Sequence, residues 1–192
     1  MSRLQYLSLK WRAILWLVFG QTTKAQALFD EILQRSPDDA YALASRAHLR
    51  VQAGAVDAAL QDSERLLKVR PEHAGTWFNH GFMLETAERW EEALAAFTRA
   101  TELGPKLDRA WYGQGLVLIR LQRYEEAIAA LKRNTELQPM SPYGWYQLAR
   151  AHIDRRQPEE AVKIIRHLKG FEPKVAAQLE RETGLLAGQA SS

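Results

Sequence analysis

Five histidines are the side chains of this sequence best suited to bind a transition metal or to move protons near neutral pH. They stand at His48, His73, His80, His152 and His167. No two are four residues apart, and no carboxylate completes a known metal-ligand spacing around them. The chain has no cysteine, which excludes thiolate ligands, cysteine catalysis and disulfides. We therefore expect no metal and no cofactor.

Pairs of neighbouring glutamates could act as general acids and bases. They occur at Glu91–Glu92, Glu125–Glu126 and Glu159–Glu160, each 34 residues after the one before. An apolar pattern with helical spacing follows each pair, which places the glutamates in a first helical turn, where the helix dipole favours carboxylates. A surface role in a repeated helix explains them better than catalysis. No nucleophile elbow, phosphate loop or dinucleotide fingerprint occurs either, and we predict that the chain is not an enzyme.

Tryptophans with the same spacing, Trp77, Trp111 and Trp145, could stack on nucleic-acid bases. Their regular recurrence favours packing positions in a repeated unit instead. The net charge is +3, but four basic residues and no acidic residue fall within residues 1–24, so the remaining chain carries −1. A body with balanced charge lacks the basic stripe of a nucleic-acid-binding protein. We expect no nucleic-acid partner.

The spacing of 34 residues runs through most of the chain and is marked by prolines. These are Pro37, Pro71, Pro105, Pro139 and Pro173. They divide residues 1–175 into five units, which cover 6–39, 40–73, 74–107, 108–141 and 142–175. Each unit holds two stretches with apolar residues at helical spacing, and proline ends the second stretch because it cannot continue a helix. Every unit therefore predicts two helices.

Small residues at two positions of each unit indicate where the two helices cross. Position 8 holds Ala13, Ala47, Gly81, Gly115 and Ala149, and position 20 holds Ala25, Ala59, Ala93, Ala127 and Ala161. Larger residues at positions 4 and 24 fill the space beside the crossing. The second unit departs from this pattern with Arg50 at position 11 and Ser63 at position 24. One helical pair cannot bury its apolar face alone, whereas stacked pairs bury a continuous core.

These columns resemble the tetratricopeptide repeat, in which tryptophan, small residues, alanine, an aromatic residue and proline recur every 34 residues. The resemblance covers about nine tenths of the chain. It implies an all-α fold, a right-handed α-solenoid of about five stacked helix-turn-helix repeats. An amphipathic stretch after the last repeat predicts a C-terminal capping helix over residues 176–187. Residues 188–192 are expected to be a disordered tail.

The resemblance also implies that the first helix of each repeat lines a concave groove that binds a partner through positions 2, 5, 6, 9 and 13. Those positions supply His48, Phe78, Asn79, Phe82, Arg109, Tyr112, Leu116, Arg120, Tyr146, Gln147 and Arg150, together with Tyr41, Gln52 and Tyr143. Such aromatic and arginine side chains are enriched at protein interfaces, although each single aromatic could equally pack against a neighbouring repeat. The carboxylate clamp of tetratricopeptide co-chaperones is not predicted, because Ala44, His48 and Gly113 occupy three of its five positions.

The repeat pattern leaves the apolar run Ala13–Phe19 unexplained. It is too short to cross a bilayer, which takes about 20 residues, and it opens the stack with no earlier repeat to cover its outer face. Its candidate contact residues are Trp11, Trp16, Leu17 and Phe19. The cover could be residues 1–9 folded back, a second copy of the chain, a partner subunit, or a membrane surface that attracts the nearby basic residues.

The sequence therefore predicts a non-enzymatic scaffold or adaptor that holds a protein partner, a peptide or a helix, in its groove. One alternative is a membrane-proximal assembly or anchoring factor that uses the apolar N-terminal helix. Another is a regulatory part of an enzyme complex whose catalytic site lies on another chain. We expect the chain in the cytoplasm or at the membrane surface, because no small-residue cleavage site follows the apolar run.

Overall fold

The computed structural model describes residues 2–185, and within this range the chain forms eleven α-helices and no β-strand. Ten of them fall in pairs along the sequence, one pair for each 34-residue unit. The pairs are α1 (Arg3–Val18) with α2 (Thr22–Arg35), α3 (Ala40–Gln52) with α4 (Val56–Val69), α5 (Ala74–Thr86) with α6 (Trp90–Leu103), α7 (Asp108–Arg120) with α8 (Tyr124–Leu137), and α9 (Pro142–Asp154) with α10 (Pro158–Lys169). The all-α class predicted from the sequence is confirmed.

The eleventh helix, α11, spans Pro173–Thr183. It starts with proline at its first position, which suits a helix start because the missing N–H would have no partner there. It ends where Gly184 takes a left-handed conformation with φ of 70°. The helix thus begins three residues before the capping helix expected over 176–187, and residues 186–187 and the tail at 188–192 lie outside the described range.

The turn inside each helical pair contains one residue in the left-handed region, always at position 15 of the unit. Glycine fills this position in the first two units, as Gly20 and Gly54, whereas Glu88, Gln122 and Arg156 fill it in the others with φ of 58–60°. A residue with a Cβ atom pays about 1–2 kcal/mol for this conformation, and glycine does not. The last three turns are therefore strained at this one residue.

This strain gives a prediction of improved stability. Gln122→Gly is expected to raise the free energy of unfolding by about 1 kcal/mol, because glycine adopts the left-handed conformation without the Cβ penalty. Gly54→Ala is the reciprocal control: its φ is 77° and an added Cβ would meet no atom within 4 Å, so only the backbone penalty should appear, as a loss of similar size. Urea unfolding measures both. A loss of stability in Gln122→Gly would contradict the assignment of strain.

Helices α1–α5 form one compact unit. Each helix packs on the next along the chain, and the core between them includes Leu9, Phe29, Ile32 and Leu43. Ala13 lies in the same core with no exposed surface, as expected for a small residue at a helix crossing. The five helices bury one continuous apolar core.

The first helix is tied to the third by two contacts of its polar side. The Lys10 ammonium lies 4.2 Å from the centroid of the Tyr41 ring, and the Tyr6 hydroxyl hydrogen-bonds the Asp39 carboxylate. Burial, and after it this hydrogen bond, raises the pKa of Tyr6 to about 12. Residues 3–9 are the first turns of α1 itself, so the folded-back segment considered from the sequence is excluded as a cover for its outer face.

A buried ion cluster connects α2, α3 and α4. The Asp62 side chain is only 5% exposed, and it accepts from Arg46 Nε at 2.9 Å, from Arg46 Nη2 at 2.6 Å and from Arg50 Nη1 at 2.8 Å. Arg46 Nη1 also donates to Asp30 at 2.7 Å, and the hydrogen bond to Asp62 is the main cause that raises the pKa of Arg46. This cluster explains why arginine replaces an apolar residue at position 11 of the second repeat.

Helices α6–α11 form the second compact unit. Its core includes Leu131, Leu148, Ile165 and Leu179, all fully or almost fully buried. The crossing of α7 and α8 is close, because a Cβ atom added to Gly115 would stand 2.6 Å from Leu131 Cγ. The small residue expected at position 8 is thus a requirement of the packing.

The repeated tryptophans have a structural role at the helix starts. Trp77, Trp111 and Trp145 are half-buried, and each indole Nε1–H donates to the carbonyl of the proline six residues earlier, at 2.7, 3.0 and 2.8 Å. Each indole therefore fastens the start of a first helix to the turn before it. This agrees with packing positions and leaves no row of free rings for base stacking.

Candidate functional site

The candidate residues of the first unit lie on the first helices of the second and third repeats. On α3, His48 is exposed, and its Nε2 lies 3.1 Å from Nε2 of Gln52, one turn further along the helix. On α5, Asn79 is exposed and Phe82 keeps 48% of its surface in solvent, whereas Phe78 is half-buried. Tyr41, by contrast, is largely occupied by packing on Phe29, with ring centroids 6.0 Å apart.

The second unit places several candidates around two adjoining depressions. Helix α7 contacts α9, and α9 contacts α11. Between α7 and α9 lies a depression of about 380 Å³, lined by Asp108, Arg109, Tyr112, Asn134, Gln138, Ser141, Tyr143 and Gly144. Between α9 and α11 lies one of about 480 Å³, lined by Pro142, Tyr143, Tyr146, Gln147, Glu172, Val175 and Gln178. Tyr143 is 71% exposed and lines both, so it stands as a ridge between them.

Hydrogen bonds fix the position of two further candidates. The Tyr146 hydroxyl donates to Glu182 Oε2 at 2.6 Å, and Arg150 Nη1 donates to the same oxygen at 3.1 Å. The hydrogen bond to Glu182 raises the pKa of Tyr146, and its counterpart lowers the pKa of Glu182. Arg150 and Tyr146 are therefore held in place before any partner arrives.

The remaining candidates of the second unit lie on α7. Arg109 and Arg120 are exposed and Leu116 is half-buried. The Arg120 guanidinium lies 5.8 Å from the centroid of the Trp90 ring, close enough for a cation–π contact. The arginines thus stand near the two ends of α7, with Tyr112 and Leu116 between them.

The contribution of α11 to this surface was missed by the sequence analysis, which treated the helix only as a cap. Glu182, Val175 and Gln178 nevertheless take part in the second depression or its hydrogen bonds. The repeat period contained the clue, because a sixth unit would begin at residue 176. The last helix therefore occupies the place of a further first helix and continues the candidate surface.

The outer face of α1 is a separate candidate. Leu4, Trp11, Leu15, Val18 and Phe19 are all more than half exposed. Trp16 and Leu17, by contrast, are half-buried and pack against the core of the first unit. Of the four contact residues expected from the sequence, Trp11 and Phe19 thus face solvent, and Trp16 and Leu17 also belong to the inner packing.

No catalytic constellation emerges from the structure. Among residues 2–185, no three histidine, aspartate or glutamate side chains come together as a metal-binding group. In the same range no helix has the length and apolar character needed to span a membrane. The sites available in this part of the chain are surfaces.

A sequence model described as "Tetratricopeptide repeat" matches the chain four times, at residues 12–74, 46–108, 84–142 and 112–173. Together these overlapping matches run from residue 12 to residue 173, which is most of the chain. No curated protein matches the sequence significantly.

Solved structures share the fold at low sequence identity. A crystal structure of MamA protein superimposes with a TM-score of 0.79 at 16% identity and covers 94% of both chains. MamA 41-end from Desulfovibrio magneticus RS-1 gives 0.79 at 19% identity, covering 94% of this chain and 97% of the other. YrrB, described as "a TPR protein with an unusual peptide-binding site", gives 0.78 at 20% identity and covers 90% of each. The predicted solenoid class is confirmed by these likenesses.

Proposed function

Because the chain belongs to the tetratricopeptide repeat family, we propose that it is a non-enzymatic scaffold that binds a protein partner, as members of this family generally do. The partner is an extended peptide or a helix, and it binds along α7, α9 and α11. The observation that carries the proposal is the pair of depressions on the two sides of Tyr143. YrrB, which has a similar fold, is described as having a peptide-binding site, and this makes a peptide a reasonable class of partner.

The shape of the surface favours recognition through side chains. Two side chains of a bound segment could enter the two depressions and enclose the Tyr143 ring between them. Tyrosine offers a large contact area at a small cost in side-chain entropy, and tyrosine and arginine are enriched among interface residues that contribute most to affinity. The fixed Tyr146 and Arg150 add to this, because ordered side chains lose less entropy when a partner binds.

The groove can be tested with alanine variants. Tyr112→Ala and Arg120→Ala are each expected to weaken partner binding by about 1–2 kcal/mol or more if the side chains are anchors. Both side chains are partly or fully exposed, so helicity and the melting temperature should barely change. A pull-down from native extract identifies a binding protein, and isothermal titration then measures its affinity for each variant.

Arg133→Ala supplies the matched control on the second helix of the same repeat, where the arginine is exposed and pairs only with Glu136 across one turn. It should leave the affinity unchanged. If the double variant Tyr112→Ala, Arg120→Ala binds the partner as tightly as the wild type, the binding surface lies elsewhere and the groove assignment is wrong.

A second role is favoured by the outer face of α1. A contiguous row of exposed apolar side chains on a folded helix commonly marks an interaction surface. We propose that this face attaches the chain to a second copy, a partner subunit or a membrane, which would make it an assembly or anchoring factor in addition to a scaffold.

A further inference from the structure

The outer face of α1 has a narrow apolar centre. At about 3.6 residues per turn, Leu4, Trp11, Leu15 and Val18 fall on one line along the helix, directly opposite the buried Leu9 and Ala13. These four residues are called the outer stripe below. Leu4 is 81% exposed and Val18 is 75% exposed, so nothing within the described part of the chain covers either end of the stripe.

Basic side chains flank the outer stripe on both sides. Arg3 and Lys10 fall on one flank, and Arg12 falls on the other. Arg3 and Arg12 are exposed, while Lys10 lies over the Tyr41 ring. The first acidic residue of the chain is Asp30, so α1 itself carries no negative charge.

This charge pattern selects one type of surface. Two copies of α1 placed face to face would bring their basic flanks together, with no carboxylate on either helix to compensate. An anionic surface would instead pair with both flanks while the apolar centre enters the layer beneath. An apolar face with Trp and Leu between Lys or Arg residues is the pattern of a helix that lies in the interface of a bilayer.

The length and setting of α1 fit the same arrangement. Sixteen residues give a helix of about 24 Å, which can lie flat on a membrane but is too short to cross one. Its other side packs against α2, so the stripe is presented by a helix that is already folded. The helix therefore pays little of the ordering cost that a free peptide pays on binding.

We propose that the outer stripe of α1 docks on the surface of an anionic phospholipid bilayer. This inference rests on the second role proposed above, attachment through α1, and names the surface to which the helix attaches. It is independent of the groove on α7, α9 and α11.

The test is flotation of the full chain with vesicles of phosphatidylcholine alone and of phosphatidylcholine mixed with phosphatidylserine. Binding is expected only to the mixed vesicles, and it should weaken with added salt because the headgroup attraction is screened. The double variant Arg3→Gln, Arg12→Gln should lower partitioning about 25-fold, since each basic side chain near such a surface contributes about fivefold. Leu4→Ser, Leu15→Ser should lower it more than tenfold.

Met140→Ser is the matched control, because Met140 is 69% exposed but lies far along the sequence from α1. It should bind mixed vesicles like the wild type. Circular dichroism of each variant checks that it is folded, and the exposed positions make unfolding unexpected. Equal binding of the wild type to neutral and mixed vesicles would overturn the inference.

Light scattering on the same samples separates the inference from the role on which it rests. A dimer that is lost in Leu4→Ser, Leu15→Ser, without vesicle binding, would assign the stripe to a second copy; attachment through α1 would stand and the lipid surface would be wrong. A monomer that binds neither type of vesicle would overturn the bilayer inference and leave a partner subunit as the only attachment.

Discussion

Replacing Asp62 by alanine is expected to lower the free energy of unfolding by about 3–5 kcal/mol, the cost of breaking a buried ion pair by removing one partner. The Asp62 carboxylate accepts three hydrogen bonds from Arg46 and Arg50. Those guanidinium groups are only 16% and 20% exposed, so they would remain in the interior without the charge that compensates them. Urea unfolding followed by circular dichroism measures the loss.

Asp38→Ala is the control within the same unit. Asp38 also pairs with an arginine, Arg65, at 2.8 Å, but its side chain is 71% exposed. Exposed pairs contribute about 0–1 kcal/mol because water screens them, so this variant should be almost as stable as the wild type. Equal losses in Asp62→Ala and Asp38→Ala would show that the cluster is not a buried ion pair in solution.

Replacing Ala127 by leucine is expected to cost about 1–3 kcal/mol through overpacking. Ala127 has no exposed surface and stands where α7 and α8 cross closely. The packing beside it leaves little room, as the 2.6 Å approach of Leu131 to a Cβ atom on Gly115 indicates. The added side chain can fit only if the helices separate or neighbouring rotamers change.

Ala129→Leu is the matched control, because Ala129 lies two residues further along the same helix and is exposed. The substitution is chemically identical, and leucine is nearly as good a helix former as alanine, so stability should hardly change. Gln122 is exposed too, but its φ of 59° would add a backbone effect of its own. If thermal melting gives the same shift for Ala127→Leu and Ala129→Leu, the assignment of position 20 to the helix crossing is wrong.

The groove candidates illustrate how far a pattern in the sequence can lead. The repeat frame named Tyr112, Tyr146 and Arg150 as groove positions, and the structure places Tyr112 and Tyr146 at the two depressions beside Tyr143. It did not reveal that Glu182 holds Tyr146 and Arg150. That contact joins residues 36 and 32 positions apart, and its existence depends on how α11 is seated against α9.

What the sequence determined by itself is the class of fold and the approximate place of every helix. The 34-residue period, the alanines at position 20 and the prolines after each second helix repeat the same local instruction five times. Helix formation and helix ending depend on residues three or four positions apart, and such relations are present in the sequence alone. The close crossing beside Gly115 follows from the same columns.

Only the tertiary structure decided which side chains are left for solvent and which charges are buried. The sequence showed an apolar run on α1, but the packing against α2 directs Leu4, Leu15 and Val18 outward and Trp16 and Leu17 partly inward. It showed Arg50 as a departure from the repeat, but the arginine's partner is Asp62 on the next helix. Burial and ion pairing depend on the angle and distance between helices, and no pattern within a single helix fixes these.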